Sequence, residues 1–158
     1  LVNARTALDY ALARMGKIDP ERVYAAGHSS AATLALLVAA NDPRVKGCVA
    51  YAPVTDLPAR LGAQTIDRVS RQVGGFKEFV ERSSPRAHLA QLRCPVFLYH
   101  ARNDKNVPVA QSVTFANELK RTNPKVKLVT PPTGDHYPGM LKQGIPLAIA
   151  WLKGLAKG

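Results

Sequence analysis

Apolar and polar positions alternate in two rhythms along this chain. Residues 1–15 place Leu1, Ala4, Leu8, Leu12 and Met15 at three-to-four spacing, which predicts a helix closed by Gly16. Arg22–Ala26 is a short β-prone run after the Asp19-Pro20 turn, and Ser30–Ala40 is a helix of small residues that stops at Asn41-Asp42-Pro43. Buried strands are expected at Val45–Tyr51, Pro95–His100 and Val126–Thr130, with helices at 108–121 and 139–156 following the last two. Short apolar strands alternating with helices imply an α/β fold: about four parallel strands covered on both faces by right-handed crossovers. Residues 1–158 read as a single domain. The stretch from Asp56 to Arg93 is longer than an ordinary connection, and we expect it to be a cap-like insert with its own helices, shaping a site over the sheet's carboxyl edge.

Composition narrows the reading. With 46% hydrophobic residues and no internal repeat, the 158-residue chain is neither disordered nor fibrous. Its longest apolar stretch, Ala31 to Ala40, is interrupted by Thr33 and is about half the roughly 20 residues that a bilayer requires, so no membrane partner is expected. The chain opens at Leu1 with no basic–apolar leader. Any targeting segment is expected to have been lost or to belong to a longer precursor, which leaves the compartment open.

The 22 Lys and Arg outnumber the 11 Asp and Glu by 11. That balance raises nucleic acid as a partner, but the charges are scattered and the aromatic interleaving of single-strand binders is missing, so none is expected. In the insert, Arg60, Arg68, Arg71, Arg82 and Arg86 sit among Asp56, Asp67, Glu78 and Glu81. They read as a solvated cover, with binding of an acidic substrate group as the rival. Cys48 and Cys94 lack metal spacing and a CxxC motif, and read as small buried hydrophobes; no metal and no organic cofactor is implied.

The chemistry is concentrated in three loops. Gly27-His28-Ser29-Ser30-Ala31 lies between a strand and a helix, the context a nucleophile elbow needs. Small residues two before and two after the serine let the two backbones approach, and the N–H of Ser30, at the helix's positive end, can face an oxyanion. The bland alternative makes Ser29 a helix N-cap. A serine nucleophile needs a base, and the base needs an orienting carboxylate. Asp104 falls in the loop after the third strand and His136 in the loop after the fourth, so Ser, Asp and His stand in chain order at three strand ends. Asp135 rivals Asp104 but reads as a turn former. His28 and Tyr137 are candidates for lining the substrate pocket, while His100 reads as a core histidine bracing the acid loop and His88 as surface.

Several segments carry a family resemblance over essentially the whole chain. Ile18-Asp19-Pro20-Glu21-Arg22-Val23 leading into Gly-His-Ser-Ser-Ala, and Ala52-Pro53-Val54-Thr55-Asp56, resemble the carboxyl-terminal half of α/β hydrolases. Ser83-Ser84-Pro85, Cys94-Pro95-Val96-Phe97-Leu98-Tyr99-His100 and Asn103-Asp104-Lys105-Asn106-Val107-Pro108 are similar to segments of prolyl oligopeptidase-like serine peptidases. Dienelactone-hydrolase-like esterases share the same half-fold. The resemblance implies Ser29 as nucleophile, Asp104 as acid and His136 as base, acting on a short peptide or a small ester. Ala31 and Ala101 stand where the family usually has glycine. The family fold also has about four strands before the elbow, with a loop that supplies a second oxyanion N–H. This chain starts in the helix just ahead of the elbow strand. The resemblance therefore predicts an open edge on that strand, met by a complementary amino-terminal half or a second copy. An inactive half-domain that acts only by such docking is the non-enzymatic alternative.

Overall fold

The computed structural model describes residues 1–156. Four parallel strands, β1 (Tyr24–His28), β2 (Gly47–Tyr51), β3 (Val96–Tyr99) and β4 (Val126–Val129), lie side by side in chain order. Helix α1 (Val2–Arg14) precedes β1, and α2 (Ser30–Asn41) connects β1 to β2. The long connection to β3 carries α3 (Leu57–Leu61), α4 (Ala63–Ser70), α5 (Phe76–Arg82) and a 3-10 turn at Pro85–His88. Helix α6 (Ala110–Leu119) crosses from β3 to β4, and α7 (Ile145–Leu155) follows β4.

The central strands have no polar face because both faces are covered. Cys48 and Ala50 of β2 and Val96 and Leu98 of β3 pack on one side with Leu36 of α2 and Phe115 and Leu119 of α6. Their alternates, Val49, Tyr51, Phe97 and Tyr99, meet Ala148, Trp151 and Leu152 of α7 on the other. Phe97 and Trp151 bring their ring centroids to 5.5 Å. The outer strands β1 and β4 are only partly buried. Helix α1 has no fully buried residue; Leu8 and Leu12 of its apolar stripe are half-covered. Among the described residues, no helix is long and apolar enough to cross a membrane.

Two elements differ from the sequence pattern. The first strand starts at Tyr24 rather than Arg22, because Asp19 accepts from the Glu21 N–H at 2.9 Å and holds Pro20–Arg22 in a 3-10 turn. The strand then runs on through His28, which pairs with Tyr51. The last helix is broken by a π turn at Met140–Gly144 ahead of α7. Pro146 has no N–H for the usual bond, so the ladder shifts there. The shift sets Gly144 against the rings of Tyr51 and Tyr99, where a Cβ would come within 3.1 Å of both.

Cys48 is buried and Cys94 half-buried, both free, and burial raises both thiol pKa values. Asp42, at the end of α2, is the sharpest electrostatic feature of the scaffold. Its side chain is 1% exposed and accepts from the Arg44 guanidinium at 2.6 and 2.9 Å and from the Arg44 N–H at 3.1 Å. The Arg44 side-chain bonds lower its pKa from 3.8 to about 2 against the opposing effect of burial. A carboxyl depressed in the folded state stabilises the fold above its ordinary pKa and loses that contribution as pH falls through the folded value. Since Arg44 is itself one third exposed, Asp42→Asn is expected to cost about 1 to 2 kcal/mol at neutral pH. Urea titrations at stepped pH check this: the gap between the two proteins should close from about pH 4 to about pH 2.

Candidate active site

Parallel strands end together, so the loops that follow β1, β3 and β4 converge at one rim of the sheet. Ser29 directly follows β1. It has φ 56° and ψ −123°, a conformation costly for any residue but glycine. Its N–H donates to the Tyr51 carbonyl at 2.9 Å, and its carbonyl accepts from Ala32 and Thr33 at 3.0 and 3.1 Å, so the sheet and α2 grip the turn from both ends. The bend brings α2 so close that a Cβ on Gly27 would lie 2.2 Å from the Ala31 carbonyl oxygen, so only glycine fits there. Ser29 stands at the N-cap position of α2, yet its side chain makes no capping hydrogen bond. The hydroxyl is left free of that structural duty, while Ser30, at the first helical position, has an N–H with no partner inside the helix.

Asp104 lies in the loop after β3, its side chain fully buried. Oδ1 accepts from the N–H groups of Asn106 at 2.8 Å and Val107 at 3.0 Å, and Oδ2 lies 2.7 Å from His136 Nδ1. Burial would raise the carboxyl pKa, but the Val107 N–H, the His136 ring and the Asn106 N–H together hold it below the usual carboxylate range. His100 backs this loop from the core at 0% exposure. Its Nδ1 meets Ser112 Oγ at 2.8 Å, and its Nε2 lies 2.9 Å from the Val107 carbonyl and 3.2 Å from Asp104 Oδ2. Burial lowers its pKa, so the ring is neutral. With two oxygen acceptors at Nε2, the proton sits on that nitrogen, and Nδ1 accepts from the serine hydroxyl. His100 thus donates to the acid loop, as its place at the end of a buried strand suggested.

His136 follows β4 on a loop with two unusual backbone turns: Gly134 has φ 146° and Asp135 φ 50°. Gly139 N–H closes the loop onto the Gly134 carbonyl at 2.6 Å, and a side chain on either glycine would strike the other. Asp135 accepts from the His136 N–H at 2.9 Å, which is a turn-former's bond and leaves the imidazole to Asp104. The Asp135 N–H in turn donates to Asn103 Oδ1 at 2.9 Å and ties the His136 loop to the Asp104 loop. Sequence reasoning passed over Asn103; its only signal was a position beside Asp104 in a loop otherwise rich in turn residues.

Ser29 and His136 line one cavity of about 320 Å³ together with Ser30, Thr33, Arg60 and Asn106. Val54, Leu57 and Val107 complete its wall. Among the described residues no hydrogen bond joins Ser29 Oγ to His136, an arrangement common in sites without substrate, where such bonds close in the complex. His28 and Tyr137, expected as lining, are absent from this wall. His28 Nε2 instead donates to the His136 carbonyl at 2.7 Å, and its ring lies tilted against His136 at 4.5 Å and edge-on to Tyr137 at 5.5 Å. His28 thus holds the His136 loop without belonging to the cavity wall. Tyr137 is 55% exposed. Arg60 is exposed, as a solvated cover requires, and also lines this cavity. Arg86 remains structural: it bonds Asp56 at 2.7 Å and Glu118 at 2.7 Å and pins the insert to α6. His88 is half-buried, its Nε2 bonded to the Arg82 carbonyl at 2.8 Å.

Known proteins share both sequence and fold with this chain. It is 29% identical over 140 residues to acetyl esterase Axe7A of Xylanibacter ruminicola, an alignment covering 79% of this chain and 29% of that protein. Acylaminoacyl peptidase of Pyrococcus horikoshii superposes with a TM-score of 0.78 at 16% identity, over 96% of this chain and 27% of that one. The acetyl ester-xyloside bifunctional hydrolase of Caldicellulosiruptor lactoaceticus superposes with a TM-score of 0.71 at 24% identity, over 94% and 62% respectively. The chain therefore spans under a third of the esterase and the peptidase. These likenesses in structure establish the α/β-hydrolase fold. The profile of the prolyl oligopeptidase family matches residues 4–154, and the chain belongs to that family.

Proposed function

We propose that the chain is the catalytic part of a serine hydrolase that cleaves peptide or ester bonds through an acyl-enzyme on Ser29. The observation that carries this reading is the 2.7 Å contact between Asp104 Oδ2 and His136 Nδ1, with His136 and the strained Ser29 turn on one cavity wall. An ionised Asp104 keeps the proton on Nδ1, which leaves Nε2 free to act as base. Nε2 takes the Ser29 proton as Oγ attacks the carbonyl carbon. The developing oxyanion turns to the Ser30 N–H at the positive end of α2. The imidazolium gives its proton to the departing amine or alcohol, and the same nitrogen then deprotonates the water that cleaves the acyl-serine ester. The second donor of a complete oxyanion hole lies outside this arrangement, and each such donor is worth about 3 kcal/mol.

The Ser84-Pro85 and Asp104…Val107-Pro108 segments support a peptide substrate, as in the family name. Similarity to an acetyl esterase supports an ester. Turnover of an aminoacyl-para-nitroanilide decides for peptide, and turnover of a para-nitrophenyl ester alone decides for ester. A fluorophosphonate probe tests the common core: one adduct per chain, abolished in Ser29→Ala, is the expected mass spectrum. A folded chain that takes no label would count against catalysis by this chain. It would favour docking, for which the outer edge of β1 supplies an unpaired strand.

A further inference from the structure

The electrostatics of the cavity point to one kind of substrate. Arg60, in the last turn of α3, shares the wall with Ser29 and His136. No carboxylate belongs to that wall: apart from Arg60 and His136 its residues are neutral, and the fully buried Asp104 is turned to His136 behind it. The acid nearest Arg60 in the chain, Asp56, is already committed, accepting from the Ala59 N–H at 2.9 Å and from Arg86 at 2.7 Å. Arg86 also takes up Glu118. Among the described residues the Arg60 guanidinium has neither an ion pair nor a hydrogen bond. Arg60 is solvent-exposed at the rim of this cavity, so an unpaired guanidinium stands beside a site whose wall also includes Ser30 at the positive end of α2.

Resting on the hydrolase reading, we propose that Arg60 selects substrates bearing a carboxylate close to the scissile bond, either at a peptide's carboxyl terminus or on a half-ester of a dicarboxylic acid. Both sources present the same planar anion, which a guanidinium binds with two parallel hydrogen bonds.

The test compares matched pairs of esters on the full chain. On the acyl side, para-nitrophenyl hexanoate is set against the para-nitrophenyl half-ester of adipic acid. On the leaving-group side, para-nitrophenyl acetate is set against its ring-carboxylated analogue. The expected result is a kcat/KM ratio favouring the charged member in one pair, which identifies the side of the scissile bond. That ratio should fall roughly tenfold in Arg60→Ala, survive in Arg60→Lys and invert in Arg60→Glu. Ratios that are the same in wild type and Arg60→Ala for both pairs overturn the proposal. Turnover of the neutral esters by wild type reports separately on the hydrolase reading. Calorimetric binding of monoethyl adipate and ethyl hexanoate to Ser29→Ala reads Arg60 without chemistry. The same titration with phenyl acetate and its ring-carboxylated analogue reads the leaving-group side, and equal affinities within both pairs also overturn the proposal.

Discussion

Replacing Ser29 by alanine is expected to lower kcat/KM by roughly a hundred-thousandfold to a millionfold, and His136→Ala by nearly as much. The two losses should not add. Serine without its base is a poor nucleophile at neutral pH, and the base without serine has nothing to activate, so the double variant should match the worse single one. The residual rate would come from binding and from the Ser30 N–H. The measurement is burst and steady-state kinetics on whichever activated substrate the chain turns over. A Ser29→Ala protein that kept more than about a tenth of the rate would sink the proposed mechanism. Folding is a weak confounder here. The strained φ of 56° belongs to the turn rather than to the hydroxyl, and the hydroxyl makes no capping bond whose loss would loosen α2.

Asp104→Asn should be the second largest effect, a loss of roughly ten-thousandfold in kcat with the fold intact. The amide oxygen can still accept from the Asn106 and Val107 N–H groups, so the loop keeps its shape. The amide nitrogen then faces His136 Nδ1 in place of Oδ2. A donor there demands a lone pair on Nδ1, which drives the imidazole proton to Nε2, the atom that must accept from serine. The same substitution sets an N–H against His100 Nε2, which retains its bond to the Val107 carbonyl at 2.9 Å. Paired kinetics and thermal unfolding should therefore separate: activity collapses while the melting temperature moves by a few degrees at most. Equal activity of Asp104→Asn and wild type would shift the orienting role elsewhere. Asp135→Asn is the control, because that carboxylate bonds the His136 main chain and not its ring.

Much of this was legible along the chain because it is local. Runs of apolar residues mark the central strands β2 and β3, since a strand buried on both faces has no polar side to display. The elbow is legible because Gly27, two residues before the serine, is required by the close approach of strand to helix, a constraint spanning five residues. The order of Ser29, Asp104 and His136 follows from topology: parallel strands deliver each following loop to the same rim. Strand and helix limits were less legible. Whether Arg22 joins β1 depends on the Asp19 cap, and the π turn before α7 depends on Pro146 within an otherwise helical pattern.

By itself the sequence determined the α/β fold and the family and singled out the three residues on which the proposed chemistry rests, because each is written in short contiguous patterns. Tertiary structure alone decided which side chains face the cavity. His28 and Tyr137 adjoin candidate residues in the chain, yet meet edge to face and are not part of the wall. Arg60, in a crowd of insert arginines, lines the cavity without an ion pair among the described residues, while Arg86 takes Asp56 and Glu118 across 30 and 32 residues. Asn103 clasps the base loop from 32 residues away. Charge pairing and cavity lining are competitions between groups distant in the chain, and their outcome exists only once the chain has folded.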